Sequence, residues 1–126
     1  MAYTNAAENG INLDRPALMI DYEYCTGCHS CEVTCKRELG LEEGEWGIRL
    51  LEYGPVQVDD DTWEQIYIPY ATMRCTLCQD RVADGKLPAC VHNCPAACMQ
   101  YGTVAELSEM VAYKPMRILI VPFQSK

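Results

Sequence analysis

Long hydrophobic runs are missing from this chain of 126 residues. A bilayer span needs roughly 20 consecutive apolar residues. The longest candidate, Met116 to Phe123, is far shorter and contains Arg117 and Pro122, so it reads as a strand. No direct membrane span is therefore expected. The opening MAYTNAAENGINLDRP has neither a basic n-region nor an apolar h-region, and no twin-arginine pair precedes an apolar stretch. A cytoplasmic location is expected, with export in the grip of a signal-bearing partner left open. Positive charge is scarce, with 10 basic residues against 18 acidic ones and a net charge of −8. A nucleic-acid partner needs a basic stripe, so that class is set aside. The balance permits docking to a basic patch on another protein, although solubility alone accounts for it. No nucleophile elbow, phosphate-binding glycine loop or dinucleotide fingerprint occurs, and no catalytic constellation replaces them.

Cysteine, in contrast, is abundant, with nine residues. Eight fall into two groups, Cys25-x2-Cys28-x2-Cys31-x3-Cys35 and Cys75-x2-Cys78-x11-Cys90-x3-Cys94, the second followed at once by Pro95. High cysteine content means either a disulfide scaffold or a metal protein. The tight CxxCxxC spacing and the odd count favour metal. The first spacing is that of a bacterial [4Fe–4S] run, in which the fourth cysteine ligates the other cluster. The second is the same run with a longer middle gap. The spacing thus assigns cluster I to Cys25, Cys28, Cys31 and Cys94, and cluster II to Cys75, Cys78, Cys90 and Cys35. Two [4Fe–4S] clusters in a small chain imply one-electron relay. The competing chemistry is two four-cysteine zinc sites, which explain the CxxC pairs but not the matched CxxxC runs.

The ninth cysteine, Cys98, reads as a small buried hydrophobe, because the other eight complete two clusters. The alternatives are a replacement ligand or a shield. His29 and His92 read as surface histidines on helical turns, with tuning of a cluster as the functional alternative. For Arg74, Arg81 and Lys86, solvated charge stands against contact with a partner. Tyr22, Tyr24, Tyr67, Tyr70 and Tyr101 are expected to shield clusters and fill the core.

The expected fold is α+β: a bacterial two-cluster ferredoxin-like core with a strand-rich insertion and a C-terminal helix–strand extension. Residues 1–15 form a polar N-terminal segment and residues 16–126 a single domain, with the insertion at 44–72 and the extension at 103–126. Strands are expected at Ala17–Tyr22, Gly47–Tyr53, Thr62–Tyr70 and Met116–Val121. An acidic turn at 59–61 joins the middle two into a hairpin. Helices are expected at His29–Glu38, with Cys31 and Cys35 on one face, and at Thr76–Asp84, stopped by Gly85. A further helical turn carries Cys90 and Cys94, and Pro95 ends it. Thr103-x-x-Glu106 is a capping box opening a helix to about Tyr113.

The stretch MIDYEYCTGCHSCEVTCKRE resembles the opening motif of the iron–sulfur electron-transfer subunits of molybdopterin oxidoreductases, the dimethyl sulfoxide reductase group. The stretch MRCTLCQDRVADGKLPACVHNCPAACMQYG resembles their last motif. Together they cover about 50 of the 126 residues. Members of that family carry four motifs and four clusters, whereas this chain has the first and last, with 44–72 in place of the middle two. The resemblance implies a non-catalytic small subunit beside a large catalytic subunit holding a molybdenum or tungsten pterin, exchanging electrons with an external donor or acceptor. A free dicluster ferredoxin and a zinc-stapled interaction module are the alternatives.

Overall fold

The computed structural model describes residues 13–122. Residues 1–12 of the polar N-terminal segment and residues 123–126 of the expected extension lie outside the described residues. At the centre is β1, Pro16–Asp21. Its apolar residues alternate between two faces, as strand geometry requires, and Ala17 to Ile20 are all buried. It runs antiparallel to β4, Met99–Thr103, on one side, and to β5, Arg117–Ile120, on the other. Leu18 stands opposite Tyr101 in one pairing and Ile120 in the other.

Leu18 and Ile20 face a core that contains Cys31, Cys35, Cys75, Cys90 and Cys98. Ala17 and Met19 face the opposite way, against Leu107 of a helix. One short strand therefore separates the cysteine-rich core from a small apolar one. The chain is α+β, with the strand pattern of β1 explained by burial on both faces.

That helix is α4, Val104–Val111, and its capping box is formed. Thr103 Oγ1 accepts from the Glu106 amide at 3.2 Å, and Glu106 Oε1 accepts from the Thr103 amide at 3.0 Å. The last strand begins at Arg117, one residue late, because Met116 has φ +65°. Strand β4 was not foreseen. Its sequence, MQYGT, has little strand character, and pairing with β1 makes it a strand.

The hairpin is present as β2, Ile48–Gln57, and β3, Trp63–Ala71. Ile48 pairs with Ala71 and Gln57 with Trp63, with a register shift between Tyr53 and Val56 around a cis Gly54–Pro55 bond. Asp59 to Thr62 closes the turn, the Asp59 carboxylate accepting from the Asp61 amide at 3.0 Å. Most of the hairpin is exposed, but its base is anchored through buried Ile48 and Pro69.

Three helices lie among the cysteines, and two of them carry cysteines. Helix α1, Ser30–Leu39, buries Cys31 and Cys35 on one face and ends at Gly40 in the left-handed conformation. Helix α2 spans only Gln79–Ala83, against the expected Thr76–Asp84. Leu77 and Cys78 have φ +58° and +51°, so the helix cannot begin before them. Helix α3, Ala89–His92, includes Cys90 but not Cys94. The expectation of Cys94 on the same helical turn is therefore corrected. Pro95 disfavours helical backbone at the residue before it, so the turn ends early.

Candidate metal centre

The two CxxC loops share a backbone device. Gly27 and Leu77 occupy equivalent positions, and both have positive φ, +74° and +58°. Such a turn brings backbone amides round to face sulfur. The Leu77 amide lies 3.4 Å from Cys75 Sγ, and the Ala89 amide 3.5 Å from Cys78 Sγ. At Gly27 a side chain has no room, since a Cβ there would sit 2.7 Å from the Tyr67 ring. In this way the hairpin packs on the first loop.

Cys25, Cys28, Cys31, Cys94 and Cys98 line one small recess, whose apolar wall includes Leu50, Pro69 and Met99. Leu50 and Pro69 come from the hairpin, so the insertion roofs this recess. Cys98 Sγ is 3.6 Å from Cys94 Sγ, and the Cys98 thiol also bonds to Cys25. Cys31 feels the charges of Cys25 and Cys94. A second set forms around Cys90, which feels the charges of Cys35, Cys75 and Cys78. Cys35 faces Cys75 and Cys78, from the other end of the sequence, across the core. Helix α1 links the two sets, since Cys31 joins one and Cys35 the other.

The thiols perturb one another strongly. Burial, then the charges of Cys25 and Glu32, pushes Cys31 up to about 12. Burial and the charges of Cys75 and Cys78 push Cys35 up to about 11. Burial also raises Cys75, and it raises Cys90 beyond the ordinary thiol range, where the charge of Cys35 adds to it. Cys25 moves the other way, to about 6, chiefly through the hydrogen bond from Cys98, with the Gly27 amide helping against burial. Its partner Cys98 is raised by that same bond and by burial. Cys28 is lowered by the Ser30 hydroxyl and amide. Crowded, mutually repelling sulfurs gain most from a cationic centre that binds them as thiolates.

The donors are therefore soft, with amides aimed at them; Cys31, Cys35, Cys75 and Cys90 are buried, Cys25, Cys78 and Cys94 half-buried, and Cys28 is exposed. That suits an iron–sulfur core. Among the described residues, no group of three or more His, Cys, Asp or Glu side chains is placed to hold a single metal ion.

Other expected residues fall as follows. His29 sits at the N-terminus of α1, more than half exposed, with Nδ1 2.6 Å from Glu32 Oε1. His92 is exposed and lines a separate, broad surface recess with Arg37, Arg81 and Lys86. Arg74 pairs with Glu45 at 3.2 Å, and Arg81 donates to the Leu87 carbonyl at 2.9 Å. Tyr22 and Tyr101 pack on the cysteine core, and Tyr67 covers Gly27. Tyr24 and Tyr70 are corrected, because both are exposed. Tyr24 lies in the turn after β1 beneath Lys114, and Tyr70 points opposite to buried Pro69.

Leu50, Pro69 and Glu32 were missed. Nothing in the sequence marks a hairpin residue as the wall of a cysteine recess. Glu32, adjacent to Cys31, is buried and accepts from the Leu50 amide at 2.6 Å.

No family model matches the chain. Curated relatives do. Over 83 residues it is 35% identical to a component of the anaerobic dimethyl sulfoxide reductase of Escherichia coli (strain K12), covering 64% of this chain and 37% of that protein. It is 34% identical over 87 residues to a putative dimethyl sulfoxide reductase iron–sulfur subunit of Halobacterium salinarum, covering 66% and 29%. It is also 40% identical over 45 residues to the iron–sulfur subunit of the nitrate-inducible formate dehydrogenase of Escherichia coli (strain K12), covering 36% and 15%. The chain spans little more than a third of the first of these proteins. The resemblance carried by the two cysteine runs thus holds: the chain is similar, over part of its length, to iron–sulfur subunits of dimethyl sulfoxide reductase and formate dehydrogenase.

Proposed function

We propose that this chain is a non-catalytic electron-transfer subunit with a ferredoxin-like core holding two [4Fe–4S] clusters. Cys25, Cys28, Cys31 and Cys94 hold cluster I. Cys75, Cys78, Cys90 and Cys35 hold cluster II. The observation that carries this reading is the crossing of the two sets: Cys35 meets Cys75, Cys78 and Cys90, while Cys94 shares a recess with Cys25, Cys28 and Cys31. Cysteine-ligated cubes of this kind pass single electrons.

The chain's own residues do the rest. Amides of Gly27, Leu77 and Ala89 face sulfur and favour its negative charge. Leu50 and Pro69 of the hairpin wall the first recess, and Tyr67 packs on Gly27 of its loop. Cys31 and Cys35 lie four residues apart on α1, about 5–6 Å between their Cβ atoms, so one helical turn joins the two sets. The relatives point to the partner, a large catalytic subunit with a molybdenum or tungsten pterin. Electrons run between that subunit and an external donor or acceptor.

The test is iron and acid-labile sulfide per chain in anaerobically purified protein, with EPR after reduction. About eight of each, with two interacting reduced clusters, is the expected result. Little iron with stoichiometric zinc overturns it and leaves a zinc-stapled module. Gel filtration of native extract separates a subunit in one fixed complex from a free ferredoxin.

A further inference from the structure

The ligand sets above use eight cysteines and leave Cys98 over. Its setting is not that of a passive filler. It is 3% exposed, and it lines the same recess as Cys25, Cys28, Cys31 and Cys94. Its sulfur is 3.6 Å from Cys94 Sγ, and its thiol reaches Cys25. Five thiols therefore face the first recess, against four in the second set.

The backbone aims Cys98 deliberately. Ala97, with φ +54°, turns the chain inward just before it. A non-glycine residue keeps that conformation only where the surrounding structure holds it. The Cys98 carbonyl then accepts from the Asp21 amide at 2.7 Å, at the end of β1. Cys98 also leads directly into β4. Cys94 is held more loosely. It lies beyond α3, half-buried, and its amide reaches the Val91 carbonyl only at 3.5 Å. The spare thiol is thus fixed to the sheet, and the assigned ligand sits on a loop.

We propose that Cys98 is a reserve ligand of cluster I, placed to take the corner assigned to Cys94. The proposal rests on the two-cluster reading above. In the exchange, one iron–sulfur bond to Cys94 breaks and one to Cys98 forms. The Cys98 proton passes to the Cys94 sulfur across their 3.6 Å contact. No electron moves, and net charge is unchanged. Cluster II has no such reserve, because the one further thiol that acts on Cys90 is Cys31, already assigned to cluster I.

The experiment compares Cys94→Ser with Cys94→Ser/Cys98→Ala, both purified anaerobically as the full chain. Iron, acid-labile sulfide and EPR of the reduced protein are read against the parent. Cys94→Ser is expected to keep the parent's iron and both cluster signals, with the first signal shifted by its new ligand. The double variant is expected to lose the first signal and up to about half of the iron, while the second signal persists as proof of fold. A Cys94→Ser protein as deficient as the double overturns the proposal, and so does one that fails to fold, since Cys98 was present and did not rescue it. A double variant with both signals intact also overturns it. Parent protein without iron–sulfur signals fails the function reading itself, a result distinct from a failed rescue.

Discussion

Glu32 is the buried carboxylate that fastens the hairpin over the first cysteine recess. Its Oε2 accepts from the Leu50 amide at 2.6 Å and lies 3.5 Å from Arg49 Nη1, while its Oε1 meets His29. Leu50 stands opposite Pro69 in the hairpin, and its amide turns away from β3 to the carboxylate. Glu32→Ala removes a charge-assisted hydrogen bond and leaves that donor without a partner, a loss of about 1.5–3 kcal/mol. The Arg49 contact adds little, because its side chain is 44% exposed. Glu32→Gln keeps an acceptor for the amide and loses the charge, for about 1 kcal/mol. The assay is hydrogen–deuterium exchange with mass spectrometry on the cluster-loaded chain, reading a peptide over residues 48–53. Each 1.4 kcal/mol is a factor of ten in an opening equilibrium. The alanine variant should therefore exchange about 10- to 100-fold faster there, and the glutamine variant about 5-fold. Strand β1 should be unchanged in both. An alanine variant whose hairpin exchanges at the parent's rate refutes the claim that Glu32 holds the roof.

Three further outcomes are expected. Cys35→Ser should abolish the EPR signal of the cluster held by Cys75, Cys78 and Cys90, and spare the one nearest it in sequence; the reverse pattern rules out the crossed assignment. Gly27→Ala must place a Cβ 2.7 Å from the Tyr67 ring at φ +74°, costing about 1–2 kcal/mol for the backbone and about 1–3 kcal/mol for the overlap. Loss of visible absorbance in denaturant should quicken, and adding Tyr67→Ala should recover only the overlap share. The third outcome concerns pH. Burial raises the Asp21 carboxyl, but hydrogen bonds from Lys114 at 2.9 Å and Arg117 at 3.2 Å outweigh it and leave it below its ordinary value. Bonds to Glu23 and Asp21 raise Lys114. Asp21 thus contributes stability above a pH of about 3.9 that is lost as pH falls through its lower folded value. Lys114 contributes fully below about 10.4 and loses its share as pH rises through its higher folded value. Against the parent, Asp21→Asn should flatten the acid limb of a thermal-stability profile and Lys114→Met the alkaline limb, read by far-UV circular dichroism.

The amino-acid sequence by itself determined the two cysteine groups and their spacing, because that spacing is local. It also determined the elements whose signals are local: the alternating apolar run of β1, the α1 face bearing Cys31 and Cys35, the Thr103–Glu106 capping box and the 44–72 hairpin. Where tertiary pairing or backbone chirality rules, the tertiary structure decided. Strand β4 exists because β1 needs a second partner, and nothing in MQYGT announces it. Helix α2 starts late because Leu77 and Cys78 adopt left-handed backbone to face sulfur, a choice no propensity records for leucine. Cys94 left its helical turn because Pro95 forbids the helix at its neighbour. The hairpin's service as a roof, the clamp at Glu32 and the fifth thiol at Cys98 are relations between residues far apart in the chain. Sequence spacing has no access to them, since they arise only when β1 brings the two ends of the chain together.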